Sequence, residues 1–296
     1  MNTTVIPKVP AKRDGLMGWL LIIAPGCIWG ASYLFIAEGL TAMRPEGITF
    51  VRCVIGFVVL SLVPGVRQSV PRADRGRVAL LGVIWLAFPM SMFPFAEQRV
   101  SSALTGLLNA AGPLFAAVVA AGIARRMPSR SVKLALLVGM VGSVIIAAPS
   151  LGEGRSSAVG VGLIMAALIS YGFAINLSRP LQQRNGALPV MWRAVGIAAV
   201  LTAPTGLPAV IDAHWTTSAL LSMLALGALG TGFANVMVAT AAGRTTAARA
   251  SAMGFIIPAV SLFLGIVVRH ERVSPVSILG AVICIGGAVL LTRAAA

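Results

Sequence analysis

Ten apolar runs, each about 18 to 24 residues long, constrain this chain more than any other feature of its sequence. As helices, runs of this length would span the roughly 30 Å hydrocarbon layer of a bilayer. Of the 296 residues, 58% are hydrophobic and 10% are charged, more apolar surface than one soluble core could bury. The sequence therefore predicts an all-α membrane protein of ten transmembrane helices. The runs begin near Leu16, Gly47, Val78, Ser101, Val132, Ala158, Leu188, Ser218, Ala247 and Pro275.

The basic residues are divided unequally between the two sets of alternating connections. Sixteen of the 23 lie on one set and five on the other, while Arg52 and Arg193 lie within spans. By the positive-inside rule, the basic set is cytoplasmic, which places both termini on the cytoplasmic side of the membrane. A net charge of +15 in a soluble protein would suggest nucleic acid. Because the charges here separate spans, the expected partner is the lipid bilayer and no nucleic acid is expected.

An internal repeat divides the chain. A shift of 145 positions aligns residues 81–103 with residues 226–248 and Pro113 with Pro258. The predicted units are a first five-helix repeat, 1–152, and a second, 153–296, within one integrated transmembrane domain. Since five is odd, the second half enters the membrane inverted. Inverted repeats are typical of secondary transporters, whose substrate site lies near the midplane where the repeats meet.

Two prolines lie deep within apolar runs, at matching places in the fourth and ninth spans. Proline removes a helical hydrogen bond and kinks the helix. We expect Pro113 and Pro258, together with Gly112, to shape a central cavity and serve as hinges. The alternative is a static kink that only helps packing.

These features together resemble a known family. The first span carries CIWGASY (Cys27–Tyr33), spans 2 and 7 each contain an arginine, and spans 4 and 9 carry small residues leading to proline. Glycine-rich spans 5 and 10 follow. The chain resembles the EamA-type branch of the drug/metabolite transporter superfamily, and is most similar to its bacterial amino acid exporters, including aromatic ones. The resemblance implies a basket-like bundle around a central cavity and export of small metabolites. One departure is Tyr171, which replaces in span 6 the tryptophan of span 1.

The candidate substrate contacts are aromatic, methionine, asparagine and threonine side chains within the spans. Aromatic and methionine side chains would form an adaptable apolar wall, while amides could bind the charged groups of a zwitterion. Ordinary helix packing and interhelical hydrogen bonds are the competing interpretations. Arg52 and Arg193 are assigned structural roles. The candidate contacts are Trp29, Tyr33, Phe88, Met92, Phe95, Thr105, Asn109, Tyr171, Asn176, Phe233, Asn235 and Met237.

The acidic residues bear on the driving force. All eight lie in tails, loops or span ends, so we expect export by alternating access without obligatory proton coupling. Glu97, near the end of span 3, is the one residue that could change this. The alternative function is proton-coupled efflux of drugs or lipophilic cations, for which a buried acid is expected.

Other function classes lack a supporting motif. No catalytic motif or metal cluster is evident, so we expect no enzyme, no cofactor and no metal. Cys27, Cys53 and Cys284 lie in apolar runs without CxxC spacing, which predicts reduced thiols. The expected partner is a small-molecule substrate, an amino acid or related metabolite, and the chain is expected to be a monomer or weak dimer.

Overall fold

The described part of the chain is helical. The computed structural model describes residues 15–125, 127–152, 155–241 and 253–294, among which no strand occurs. Eight helices are long and apolar enough to cross a membrane, while α2 and α9 are shorter, with 17 and 15 residues. The segments are α1 (Gly15–Gly39), α2 (Pro45–Ser61), α3 (Arg72–Glu97), α4 (Ser102–Ala124), α5 (Arg130–Gly152), α6 (Arg155–Asn185), α7 (Ala187–Ile211), α8 (Thr217–Ala241), α9 (Met253–Val267) and α10 (Pro275–Ala294).

These segments follow the ten predicted spans in order, which confirms the all-α membrane class. Two details of the prediction lie outside the described residues. They are the start of the ninth span at Ala247 and the far side of the 152/153 junction, where residues 153 and 154 are not described.

Local sequence signals set several helix ends. The hydroxyl of Ser101 accepts a hydrogen bond from the Leu104 N–H at 3.2 Å and caps α4. Thr216 caps α8 in the same way through the Ala219 N–H. Such caps satisfy backbone donors that a helix start leaves unpaired. Gly186 separates α6 from α7 at φ 80°, a conformation that favours glycine.

The outer surface of the bundle is apolar. Leu137 and Val144 of α5, Val200 of α7 and Val282 of α10 are each more than 60% exposed. A soluble protein rarely exposes so much apolar surface, whereas a lipid-facing one does so at no cost. The small and large apolar residues of the interior form one main core that draws on both halves.

Equivalent helices of the two halves pack antiparallel. In the α2/α7 pair, Gly47 lies against Ala209 near one end, and Phe57 lies against Gly196 further along. The residue numbers rise on one helix as they fall on the other, so the chains run in opposite directions.

The α5/α10 pair has the same arrangement, with backbones in close contact. Gly142 faces the backbone of Cys284, and Gly287 faces the backbone of Gly139. α5 and α10 are the last helices of the two predicted halves, and their antiparallel contact is the arrangement expected of an inverted repeat.

Two π-helical turns interrupt α3 and α8 at equivalent places. They are Gly82–Ala87 and Ala225–Phe233. Gly82 packs against α7, and Gly227 packs against α2. The repeat matched these two glycines, but nothing in the sequence analysis predicted the π turns, which often mark functional positions.

Candidate functional site

Three aromatic rings from both halves meet inside the bundle. Tyr33 of α1 packs edge-on against Phe93 of α3, with ring centroids 5.8 Å apart. Phe93 also stacks on Tyr171 of α6 at 6.0 Å. We call these three residues the aromatic cluster. Tyr33 and Phe93 are buried and Tyr171 is partly buried, so the rings form an apolar contact between helices of the two halves.

Two cavities open at one end of the bundle. This end carries Glu38, Glu46, Glu97, Asp212 and Glu271, and we call it the acidic end. The cavities measure about 350 and 520 Å³, within the range of small-molecule sites. Both are bordered by residues 97, 98, 100 and 101, so they are adjacent parts of one opening beside the start of α4.

Glu271 connects the loop between α9 and α10 to the start of α4 through hydrogen bonds. Its carboxylate accepts hydrogen bonds from the Ser102 N–H at 3.1 Å, the Ser102 hydroxyl at 2.8 Å and the Ala103 N–H at 2.8 Å. Helix starts present unpaired N–H groups and partial positive charge, so a carboxylate is favourable there. Glu271 thus joins the second half of the chain to the first.

Arg269 extends this contact to α1. Its guanidinium lies 2.6 Å from the Glu38 carboxylate and 3.6 Å from that of Glu271. The Ser218 hydroxyl also donates to Glu38, at 2.9 Å. We call Glu38, Arg269 and Glu271, with the α4 start that Glu271 caps, the acidic-end network. Because it links α1, α4, α8 and the α9–α10 loop, it restricts the separation of these elements at this end of the bundle.

Glu97 lies between the aromatic cluster and the acidic-end network. It is one turn beyond Phe93 on α3 and borders both cavities. Its carboxylate oxygens are covered by protein, and neither accepts a hydrogen bond from the described residues. The sequence placed Glu97 at a span end, where a solvated carboxylate is expected, so its burial is a structural finding.

The two in-span arginines occupy different surroundings. Arg52 is 5% exposed, and its Nε donates to the Thr231 hydroxyl at 3.2 Å, within the π turn of α8. Arg193 is partly exposed, donates to the Pro189 carbonyl at 2.9 Å and lies over the Trp192 ring. Arg52 and Arg193 therefore align in the sequence repeat but make different contacts.

Three of the predicted substrate contacts donate hydrogen bonds from side-chain N–H groups to backbone carbonyl oxygens. The Trp29 indole donates to the Gly230 carbonyl at 2.8 Å, joining α1 to the π turn of α8. The Asn176 amide donates to the Ala116 carbonyl of α4 at 3.0 Å, and Asn235 donates within its own helix. The Asn176 bond favours the interhelical interpretation that the sequence left open for the amides, whereas the Asn235 bond joins no second helix.

The remaining predicted contacts are dispersed. Phe88 and Phe233 are 43% and 48% exposed and lie outside the aromatic cluster. Thr105 is buried and bonds to the Ser101 carbonyl. Four further predicted contacts are partly buried and lie outside the aromatic cluster: Met92, Phe95, Asn109 and Met237.

Phe93 and the acidic-end network were not predicted from the sequence. A usable signal was present for Phe93, since it precedes Glu97 by four residues and shares its helix face. For Arg269 and Glu271, the only signal was a pair of opposite charges in a short loop.

The two span prolines differ in their local structure. Three residues of 3₁₀-helix, Asn109–Ala111, interrupt α4 directly before Pro113. Pro258 lies buried within α9, and the described part of that helix continues past it. The helix around Pro113 is therefore interrupted, as a hinge there would require. Among the described residues, the helix around Pro258 shows no such interruption.

We expect Pro113→Ala to reduce transport about tenfold without lowering thermal stability. Alanine restores a backbone donor and favours a continuous helix through the interruption. Transport and the unfolding midpoint should be measured on the same preparation, with Pro258→Ala as the matched variant, for which we expect a smaller effect. Unchanged transport in both variants would show that neither proline is a hinge.

Comparison with known proteins gives consistent matches along the chain. A profile described as the EamA-like transporter family matches residues 16–148 and again 158–293. An uncharacterized transporter of Bacillus subtilis, YoaV, is 26% identical over 90% of this chain and 93% of its own length. A probable terminal-alkyne amino-acid exporter of Streptantibioticus cattleyicolor is 25% identical, over 93% of each chain.

A solved structure shares the fold. Its title is "Crystal structure of protein", and it superposes with a TM-score of 0.65 at 18% identity, covering 95% of this chain and 98% of its own. The match supports the two-repeat helical architecture over almost the whole chain.

Proposed function

We propose that this chain, which belongs to the EamA-like transporter family, exports amino acids or similar small amphipathic metabolites by alternating access. The positive-inside rule supports a bacterial inner (plasma) membrane with both termini cytoplasmic and the acidic end outside. The repeat supports two units, 1–152 and 153–296, that rock against each other. The inverted contacts of equivalent helices are what such a motion requires.

The aromatic cluster carries the substrate proposal. Its rings come from α1, α3 and α6, so a solute between them would touch both halves at once. Aromatic side chains bind amphipathic solutes, and the neighbouring Arg52 and Glu97 add one basic and one acidic side chain near the cluster. The name of the Streptantibioticus relative is in line with an amino-acid substrate.

Uptake into proteoliposomes tests this function. Labelled threonine, methionine and phenylalanine would be offered to vesicles with and without unlabelled amino acid inside. We expect internal amino acid to stimulate uptake of at least one of them. If none is taken up under any condition, the amino-acid proposal fails and other metabolites must be tried.

We expect Phe93→Leu to lower the apparent affinity for substrate about threefold to tenfold, because ring contacts contribute roughly 0.5 to 1.5 kcal/mol. Phe263→Leu is the matched control, since Phe263 is 61% exposed on α9. Concentration dependence of uptake should be measured for both. An equal effect of the two substitutions would contradict a substrate role for the cluster.

The burial of Glu97 favours one second candidate function, the efflux of lipophilic cations. A cation could pair with a carboxylate that has no other partner among the described residues. Efflux of tetraphenylphosphonium from loaded vesicles measures it directly. We place this candidate second because the aromatic cluster fits both classes, while the relative's name points to amino acids.

A further inference from the structure

Glu97 and Glu271 are two neighbouring carboxylates in opposite surroundings. Glu271 accepts three hydrogen bonds from the start of α4, where backbone dipoles favour negative charge. Glu97 is the last residue of the α3 helix, where the dipole disfavours negative charge, and its oxygens accept nothing from the described residues. One site thus holds one carboxylate that is stabilised as an ion and one that is not.

The basic groups near Glu97 are held by other partners. Arg52 donates to Thr231, Arg269 is paired with Glu38 and Glu271, and Arg99 donates to the Phe95 carbonyl of its own helix at 2.5 Å. None of these is within 4 Å of the Glu97 carboxylate as an ion pair. The ionisable groups around Glu97 are Tyr33 of α1, Arg52 of α2, Arg99 beyond α3, Tyr171 of α6, and Arg269, Glu271 and Arg272 of the α9–α10 loop.

A buried carboxylate without donors is costly as an ion. Binding one proton removes that cost and needs no movement of a neighbour. Although its carboxylate oxygens are covered, Glu97 as a residue borders both cavities at the acidic end, which places a source of water and protons beside it. We propose that Glu97 is the proton-binding site of this transporter, at which an incoming proton is exchanged for outgoing substrate. This proposal competes with the sequence-based expectation of transport without obligatory proton coupling, which named Glu97 as the one residue that could change it.

The acidic-end network supplies a way to couple the proton to the motion. While Glu97 is neutral, Arg269 stays with Glu38 and Glu271 and the end is closed. When Glu97 loses its proton toward the opposite side, its negative charge competes for Arg269. That competition weakens the contact between α1 and the α9–α10 loop. The proton enters from water at the acidic end and leaves to water at the other end, so no further reactant is required.

This inference rests on the proposed transport function but not on the identity of the substrate. Infrared difference spectra of the purified protein between high and low pH test proton binding without any substrate. We expect a protonated-carboxyl band that is lost in Glu97→Gln and present, shifted, in Glu97→Asp. Glu46→Gln is the matched control, because Glu46 lies at the same end, also has one covered unpartnered oxygen and does not border the cavities.

Transport assays then test the coupling. With a pH gradient, we expect wild-type vesicles to accumulate substrate and Glu97→Gln vesicles to lose that pH-driven component while retaining exchange without a gradient. A band and a gradient response that both survive Glu97→Gln would overturn the inference. If wild-type protein shows the Glu97 band but transports none of the tested solutes, the substrate proposal fails and the proton site stands. Gradient-driven uptake that also disappears in Glu46→Gln would mean a general effect of removing acids and would overturn the assignment to Glu97.

Discussion

Gly287→Ala is expected to destabilise the protein severely, whereas the same change one residue earlier, Gly286→Ala, is expected to be harmless. A β-carbon at Gly287 would overlap the backbone of Gly139 and lie 2.9 Å from the Ala135 carbonyl. Overpacking costs about 1 to 3 kcal/mol where side chains can adjust, and here the obstacle is backbone. A loss of about 2 kcal/mol would lower the midpoint of thermal unfolding in detergent by roughly 4 to 8 °C.

The control makes the comparison specific to the α5/α10 contact. A β-carbon at Gly286 meets nothing within 4 Å. Alanine is better than glycine within a helix by roughly 0.5 to 1 kcal/mol, so Gly286→Ala should match or exceed the wild-type midpoint. Midpoints from size-exclusion chromatography after heating would suffice. If the two variants behaved alike, the close contact between α5 and α10 would be refuted.

Glu271→Ala is expected to open the acidic end. The change removes three hydrogen bonds to a carboxylate and leaves the first N–H groups of α4 without their cap. Hydrogen bonds to charged groups contribute roughly 1.5 to 3 kcal/mol each, part of which water recovers once the end opens. A net loss of about 2 kcal/mol favours the open state about 30-fold.

Labelling measures this opening. Ser277 is 2% exposed and borders the first cavity, so a membrane-impermeant maleimide should react slowly with Ser277→Cys and much faster when Glu271→Ala is added. Protein without Ser277→Cys is the blank. The control substitution is Asp212→Ala, whose partner Arg44 is 59% exposed. Exposed pairs contribute about 0 to 1 kcal/mol, so little acceleration is expected there. Labelling unaffected by Glu271→Ala would contradict closure by the acidic-end network.

The sequence was sufficient for the helices and the repeat because lipid imposes a simple length rule. The sequence did not show which face of each helix packs against protein. The candidate substrate contacts on α3 included Phe88 and omitted Phe93, yet Phe93 is buried and Phe88 is half exposed. A helix that is apolar all round has no amphipathic pattern to show which side meets protein and which meets lipid. Only the neighbouring helices decide that.

Glu97 was misjudged for a related reason. Its position at a span end predicted water, but its carboxylate oxygens are covered by protein, and Arg269 and Glu271 of the α9–α10 loop, some 170 positions later, lie near enough to act on it electrostatically. Contacts between residues so far apart in the chain leave no pattern in the local sequence. By contrast, the interruption before Pro113 was predictable, because proline acts on its own helix.

The two π turns have a mechanical consequence for the residues that follow them. A π turn holds one residue more than the regular helix around it, and one residue corresponds to about 100° of rotation about the axis. If such a turn migrates along α3, each side chain it passes swings by that angle while both helix ends stay in place. Phe88, half exposed, and Phe93, buried, lie directly beyond the π turn Gly82–Ala87. A shift of the π turn along α3 would therefore change which side chains this helix presents inward, in addition to any movement of the two units.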